Sequence, residues 1–314
     1  MKKNIKHFLF LAASAGTVIH LMNRTVNRTA CMKEILSSHP GHYYDWKHGR
    51  IYYTKTGSGA PLLLIHDLHP ASSSYEWSRM MKKLEKTNTV YTIDLLGCGR
   101  SDKPNITYTN YLYVQLINEF ISNVINEKTD VIATGDSLSF VVMACQMEAK
   151  YYDHIVGVCP TDLYELAKAP GRRKNMLKFL IELPIIGTLL YNIASSKKMI
   201  MEELVTKKLY NPYSAKSSYV DACYEAAHRG ASPKSTFASI RCNYTKCNLV
   251  NALKKIDNSI YLVGGANIDN IEERLNEYKN YNSSIETILV PQTKELAHFE
   301  HPEKIAELVK TYFC

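Results

Sequence analysis

Apolar positions along the chain follow two rhythms. Short continuous runs, such as Leu62-Leu63-Leu64-Ile65, suit strands buried on both faces of a sheet. Longer stretches with apolar residues every three or four positions, such as 111–125, suit helices. The pattern predicts strands over 43–49 and 50–56, joined tightly at His48-Gly49, then a turn at 57–61 and a strand over 62–65. A helix over 75–84 follows, then a strand over 89–95 and a helix over 111–125. Strand 131–134, helix 138–149 and strand 155–159 continue the series. Strands alternating with helices predict an α/β fold, a mostly parallel sheet with helices on both faces.

The alternation stops at about Leu163 and resumes with a strand over 260–263. A helix over 271–281, a strand over 285–290 and a closing helix over 302–312 complete it. The organisation expected is therefore an N-terminal hydrophobic segment (1–30), a first core part (31–162), an inserted helical cap (163–252) and a second core part (253–314). Within the cap, the run MLKFLIELPIIGTLLYNI (176–193) is strongly apolar and follows Arg172, Arg173 and Lys174. Pro184 and Gly187 break it, so one straight spanning helix is not expected. It suits cap helices packed on the core, or an apolar roof lying against a membrane.

Lys2, Lys3 and Lys6 precede an apolar run from Phe8 to Met22. This suggests an uncleaved membrane anchor, short for a spanning helix and interrupted by His20. Arg24 and Arg28 on its far side leave the orientation open. Ala13-Ser14-Ala15 offers the alternative of a removable signal and a secreted protein. The expected location is the cell membrane, with the main body on the cytoplasmic side.

Composition adds little to this picture. The net charge of +8 comes from scattered residues, and no zinc-finger or RNA-binding spacing is present, so nucleic acid is not an expected partner. The 8 cysteines are dispersed, which suits a reducing compartment. Cys242 and Cys247 lack a matching second pair, and no metal is expected.

Chemistry enters at Ala133-Thr134-Gly135-Asp136-Ser137-Leu138-Ser139-Phe140, between a strand and a helix. A small-residue turn there can hold a nucleophile, and Ser137 is the candidate. Ser139 stands where the usual Gly-x-Ser-x-Gly has its second glycine. Three further stretches surround it in order: Ile65-His66-Asp67-Leu68, then Asp94-Leu95-Leu96-Gly97-Cys98-Gly99-Arg100-Ser101-Asp102, and near the end Leu296-Ala297-His298-Phe299-Glu300-His301-Pro302-Glu303.

Together these resemble the α/β-hydrolase superfamily from about Tyr43 onward, in style its capped, membrane-anchored bacterial members. The resemblance implies that Ser137 attacks an acyl carbonyl and that His298 takes and returns the proton. It also implies backbone N–H donors at Leu138 and Leu68 for the oxyanion. His66 reads as structural, His301 as surface, and a His66–His69 metal pair is not expected. The acid is Asp162, after the sixth strand, or Asp269, after the seventh; Asp162 is preferred, and each could instead cap a helix. Asp67 replaces a family glycine in the His-Gly loop, and Asp136 adds a carboxylate beside the serine.

The function expected is cleavage of an ester or thioester of a hydrophobic acyl substrate through an acyl-Ser137 intermediate, with no cofactor. Transfer of the acyl group to an alcohol or amine, and ligand binding without chemistry, are the alternatives. Dehalogenase or epoxide-hydrolase chemistry would need a carboxylate nucleophile, and Asp136 is one residue out of place for it.

Overall fold

The structure is a computed structural model that describes residues 2–38 and 40–312, with the side chains of the N-terminal helix described at His7, Phe10 and from Ala13 on. Cys314 lies outside the described residues. Eight strands form one sheet: β1 (His42–Trp46), β2 (Gly49–Gly57), β3 (Ala60–Ile65), β4 (Asn88–Ile93), β5 (Thr129–Thr134), β6 (Tyr152–Val158), β7 (Ile260–Gly265) and β8 (Glu286–Val290). Their order is β1-β2-β4-β3-β5-β6-β7-β8. β1, β2 and β4 pair antiparallel, and every pairing from β4 onward is parallel.

Period-two alternation splits β3 between two cores. Leu63 and Ile65 pack with Tyr113, Leu116 and Phe120 on one face, while Leu62 and Leu64 pack with Trp77, Leu84 and Val309 on the other. Each such side chain contributes about 1.5–3 kcal/mol by leaving water. This is why the run carries no polar position.

Two predicted helices differ in detail. Residues 75–84 form a 3₁₀ turn (Ser74–Trp77) and a short helix (Met81–Leu84). Residues 111–125 form a helix (Asn110–Phe120) that ends in a π turn closed by Asn126 in the left-handed region. Between β6 and β7 all described elements are helical, among them Arg172–Glu182, Ile185–Ala194, Lys197–Glu203, Ser217–His228 and Pro233–Arg241.

Residues 2–30 form one helix of 29 residues. Among the described residues no single helix is long and apolar enough to cross a membrane. The N-terminal helix contacts the helical insertion. Buried Asn23 donates from Nδ2 to the Ile185 carbonyl at 3.2 Å, and its Oδ1 accepts from Asn192 Nδ2 at 2.9 Å. The seven described cysteines are all free.

Candidate active site

The Asp94–Ser101 loop is a scaffold. The fully buried Asp94 carboxylate accepts from the backbone N–H of Ser74 (2.7 Å) and of Arg100 (2.8 Å), and from Arg100 Nε (2.8 Å). These contacts tie the loop after β4 to the loop after β3. His66 does the same from the other side. Its Nε2 accepts from Leu95 N–H at 3.0 Å and its Nδ1 bonds the Asp67 carbonyl at 2.8 Å, the structural role expected of it. Asp67 is thereby held directly over the end of β5.

The turn after β5 has its own logic. Gly135 is the residue with left-handed backbone, φ +53°, and Asp136 already has helical angles ahead of the helix Ser137–Met147. A nucleophile elbow puts its reactive residue at the strained position between strand and helix, with small residues two places away on each side. In this chain that frame is Ala133-x-Gly135-x-Ser137. Ser137 opens the helix, two positions past the left-handed residue. Its side chain is fully buried, and its hydroxyl donates to the His66 carbonyl at 2.6 Å. Leu138 is the second residue of the helix, and the N–H that follows the left-handed residue is that of Asp136.

The residues expected to work with Ser137 are not assembled. His298 lies within the short helix Ala297–Glu300, fully buried, its ring centroid 4.4 Å from that of Trp77. Neither of its ring nitrogens has a hydrogen-bond partner. Burial pushes it down to about 3. Asp162 caps the helix Leu163–Leu166, accepting from the N–H groups of Tyr164 (2.8 Å) and Glu165 (3.2 Å). Asp269 is exposed in the turn after β7. The acid nearest His298 is Glu76, at 3.6 Å from Nε2. Leu68, the other expected oxyanion donor, is buried in the loop beside Asp67.

A different set of groups does converge. A Cβ added to Gly135 would stand 2.3 Å from Asp67 Oδ1, so the Asp67 carboxylate fills the space of the missing elbow side chain. Asp67 Oδ1 accepts the Asp136 N–H at 3.0 Å, the donor that an elbow offers to an oxyanion. Lys208 Nζ lies 3.5 Å from Asp67 Oδ2 and 4.0 Å from Glu203. Glu76 is buried from the side, accepting from Thr134 Oγ1 at 2.9 Å. His69, Glu76, Glu203, Lys208 and Leu296 line a cavity of about 30 Å³, room for a water or two.

The environment drives the two carboxyls apart. Burial, with the Asp67 charge adding to it, raises Glu76 to about 8, so it is protonated at neutral pH. Burial opposes ionisation of Asp67 as well, but Lys208 and the Asp136 N–H outweigh it and hold Asp67 below its ordinary value. Burial would also lower Lys208, yet Asp67, Glu203 and Glu76 raise it. The site thus holds an ionised carboxylate, a neutral carboxylic acid and an ammonium group. The carboxylate of Asp136 turns away from it, to Lys246 (2.7 Å) and the Thr161 hydroxyl (2.6 Å).

Sequence reasoning missed Glu76 and Lys208. Glu76 sits in an aromatic turn where an acid has no obvious use, and Lys208 comes from the helical insertion, 141 residues from Asp67. Only the fold brings them together.

No protein-family model matches the chain. A soluble epoxide hydrolase from Corynebacterium is 33% identical over 93 residues, which is 29% of this chain and 32% of that protein. The chain thus matches about a third of that relative's length. A serine hydrolase involved in carbazole degradation superposes with a TM-score of 0.72 at 14% identity, covering 87% of this chain and 98% of the other. A carboxylesterase from Bacillus subtilis superposes with a TM-score of 0.67 at 12% identity, covering 94% and 98%. These likenesses show the α/β-hydrolase fold.

Proposed function

We propose that this chain is a small-molecule hydrolase whose chemistry rests on the carboxylate of Asp67 and not on an acyl-Ser137 intermediate. The observation that carries the reading is the position of that carboxylate, in the side-chain space of Gly135 at the elbow. Hydrolysis and acyl transfer through Ser137 both need a Ser137–His298 pair, and no hydrogen bond joins those residues.

In this scheme Asp67 accepts a proton from water as that water attacks the electrophilic carbon. Lys208 stabilises the oxygen on which negative charge develops. Glu76 gives its proton to the leaving group. Two carboxyls held apart in acidity mark the base and the acid. The new water oxygen stays on the product, and the proton on Asp67 returns to Glu76 through solvent. The small cavity implies that the helical insertion moves to admit substrate.

The test uses the full chain and a panel of nitrophenyl esters and epoxides. Turnover should fall about 100-fold or more in Asp67→Asn and persist in Ser137→Ala. A fluorophosphonate adduct at Ser137, with activity lost in Ser137→Ala, would overturn the reading.

One observation favours a second reading, ligand binding without turnover. Asp67 Oδ1 already satisfies the Asp136 N–H. Absence of turnover across the panel, together with ligand-induced thermal stabilisation lost in Lys208→Met, would select it.

A further inference from the structure

We propose that the N-terminal helix and the helices Arg172–Glu182 and Ile185–Ala194 of the insertion form one face that lies in the surface of an anionic lipid bilayer. The helices Arg172–Glu182 and Ile185–Ala194 meet at a bend of 100°. Gly187 permits this bend, because a Cβ there would stand 2.0 Å from the Ile181 carbonyl oxygen. The limbs of the bend leave Met176, Phe179, Ile186 and Ile193 more than half exposed. The N-terminal helix, fixed alongside through Asn23 and Asn192, adds Val18 and Leu21, also more than half exposed. A soluble monomer rarely leaves so many large apolar side chains together in water.

Charge selects the occupant. The N-terminal helix (Lys2–Ala30) contains five basic residues and no acidic one. Residues 172–201 contain six basic residues and a single acid, Glu182, which is paired with Lys178. The whole chain is only +8, so the remaining residues are net acidic. Exposed Arg172 and Arg173 stand at the start of one limb, and exposed Lys198 follows the other, beside Lys197, which pairs with Asp221. An apolar face with a basic margin is what an interfacial helix presents to anionic lipid. A protein partner with a greasy acidic groove would be the competing occupant, and the experiment separates the two.

Surface docking accounts for the apolar leader without requiring it to span. It would place the helical insertion, which supplies Lys208 to the candidate site, at the bilayer, where lipophilic molecules concentrate. The inference does not depend on the chemistry proposed above, since it is read without turnover.

Flotation of the full chain with vesicles tests it. Binding to phosphatidylcholine vesicles containing 30% phosphatidylglycerol should exceed binding to pure phosphatidylcholine about tenfold, and should weaken at high salt. Arg172→Glu with Arg173→Glu, and separately Phe179→Ser with Ile186→Ser, should each lower binding about tenfold or more. These side chains are exposed, and an unchanged thermal midpoint would show that the variants fold. Equal binding to neutral and anionic vesicles, or no loss in either double variant, would overturn the proposal. So would a stable dimer in lipid-free solution that Phe179→Ser with Ile186→Ser abolishes.

Discussion

Asp67 Oδ1 accepts the backbone N–H of Asp136 at 3.0 Å, directly above a glycine that has no side chain to compete for the space. The fold's reactive turn is thus occupied by a carboxylate delivered from the neighbouring strand. That relationship governs how the site responds to substitution.

Gly135→Ala should destabilise the protein by about 1–3 kcal/mol. The new Cβ would meet the Asp67 carboxylate at 2.3 Å, and the left-handed backbone at φ +53° is costly for any residue with a side chain. Urea denaturation measures the loss, and the Asp67→Gly background should recover the part due to the clash.

Ser137→Ala should cost only about 1 kcal/mol, the worth of one buried hydrogen bond to the His66 carbonyl. Turnover on any substrate the wild type accepts should stay within about twofold. A loss of several orders of magnitude would restore Ser137 to the chemistry.

Glu76→Gln should flatten the dependence of stability on pH between 4.5 and about 8. Folding raises Glu76 from 4.5 to about 8, so the folded state keeps a proton that the unfolded state releases. That contribution is complete below pH 4.5 and disappears as pH rises to about 8, a change on the order of 3–5 kcal/mol. The variant should therefore gain on the wild type steadily between pH 5 and 8 in denaturation experiments. Turnover should fall at the same time, because the acid is gone.

His298→Phe should be tolerated and should help in acid. Folding lowers His298 from 6.5 to about 3, so its contribution is full above pH 6.5 and is lost as pH falls toward 3. Phenylalanine keeps the packing on Trp77 and removes two unpartnered ring nitrogens. At pH 4.5 the variant should exceed the wild type by about 2–3 kcal/mol, measured by thermal or urea unfolding.

Lys208→Met should remove turnover while leaving the fold intact at neutral pH. It strips the positive charge from a site holding Asp67 and Glu203, so Asp67 should titrate at higher pH than in the wild type. A carbon-13 carboxyl signal from Asp67 followed against pH reads this directly.

The sequence by itself determined the fold. Continuous apolar runs such as 62–65 can only be buried on both faces, and their alternation with helical spacing leaves few topologies open. The Asp94–Ser101 loop and His66 were also legible, because a buried carboxylate and imidazole need local backbone partners that the adjacent loops supply. Tertiary structure alone decided the site. Local sequence does not say which residue of Gly135-Asp136-Ser137 carries the left-handed φ; the folded backbone puts it on Gly135, against the Asp67 carboxylate. Asp67, Glu76 and Lys208 come from three distant parts of the chain, and their charge states are set by mutual burial. No spacing along the sequence encodes that arrangement. Likewise, the apolar leader reads as a short membrane anchor in one dimension, and only the three-dimensional structure shows Asn23 tying it to the helical insertion.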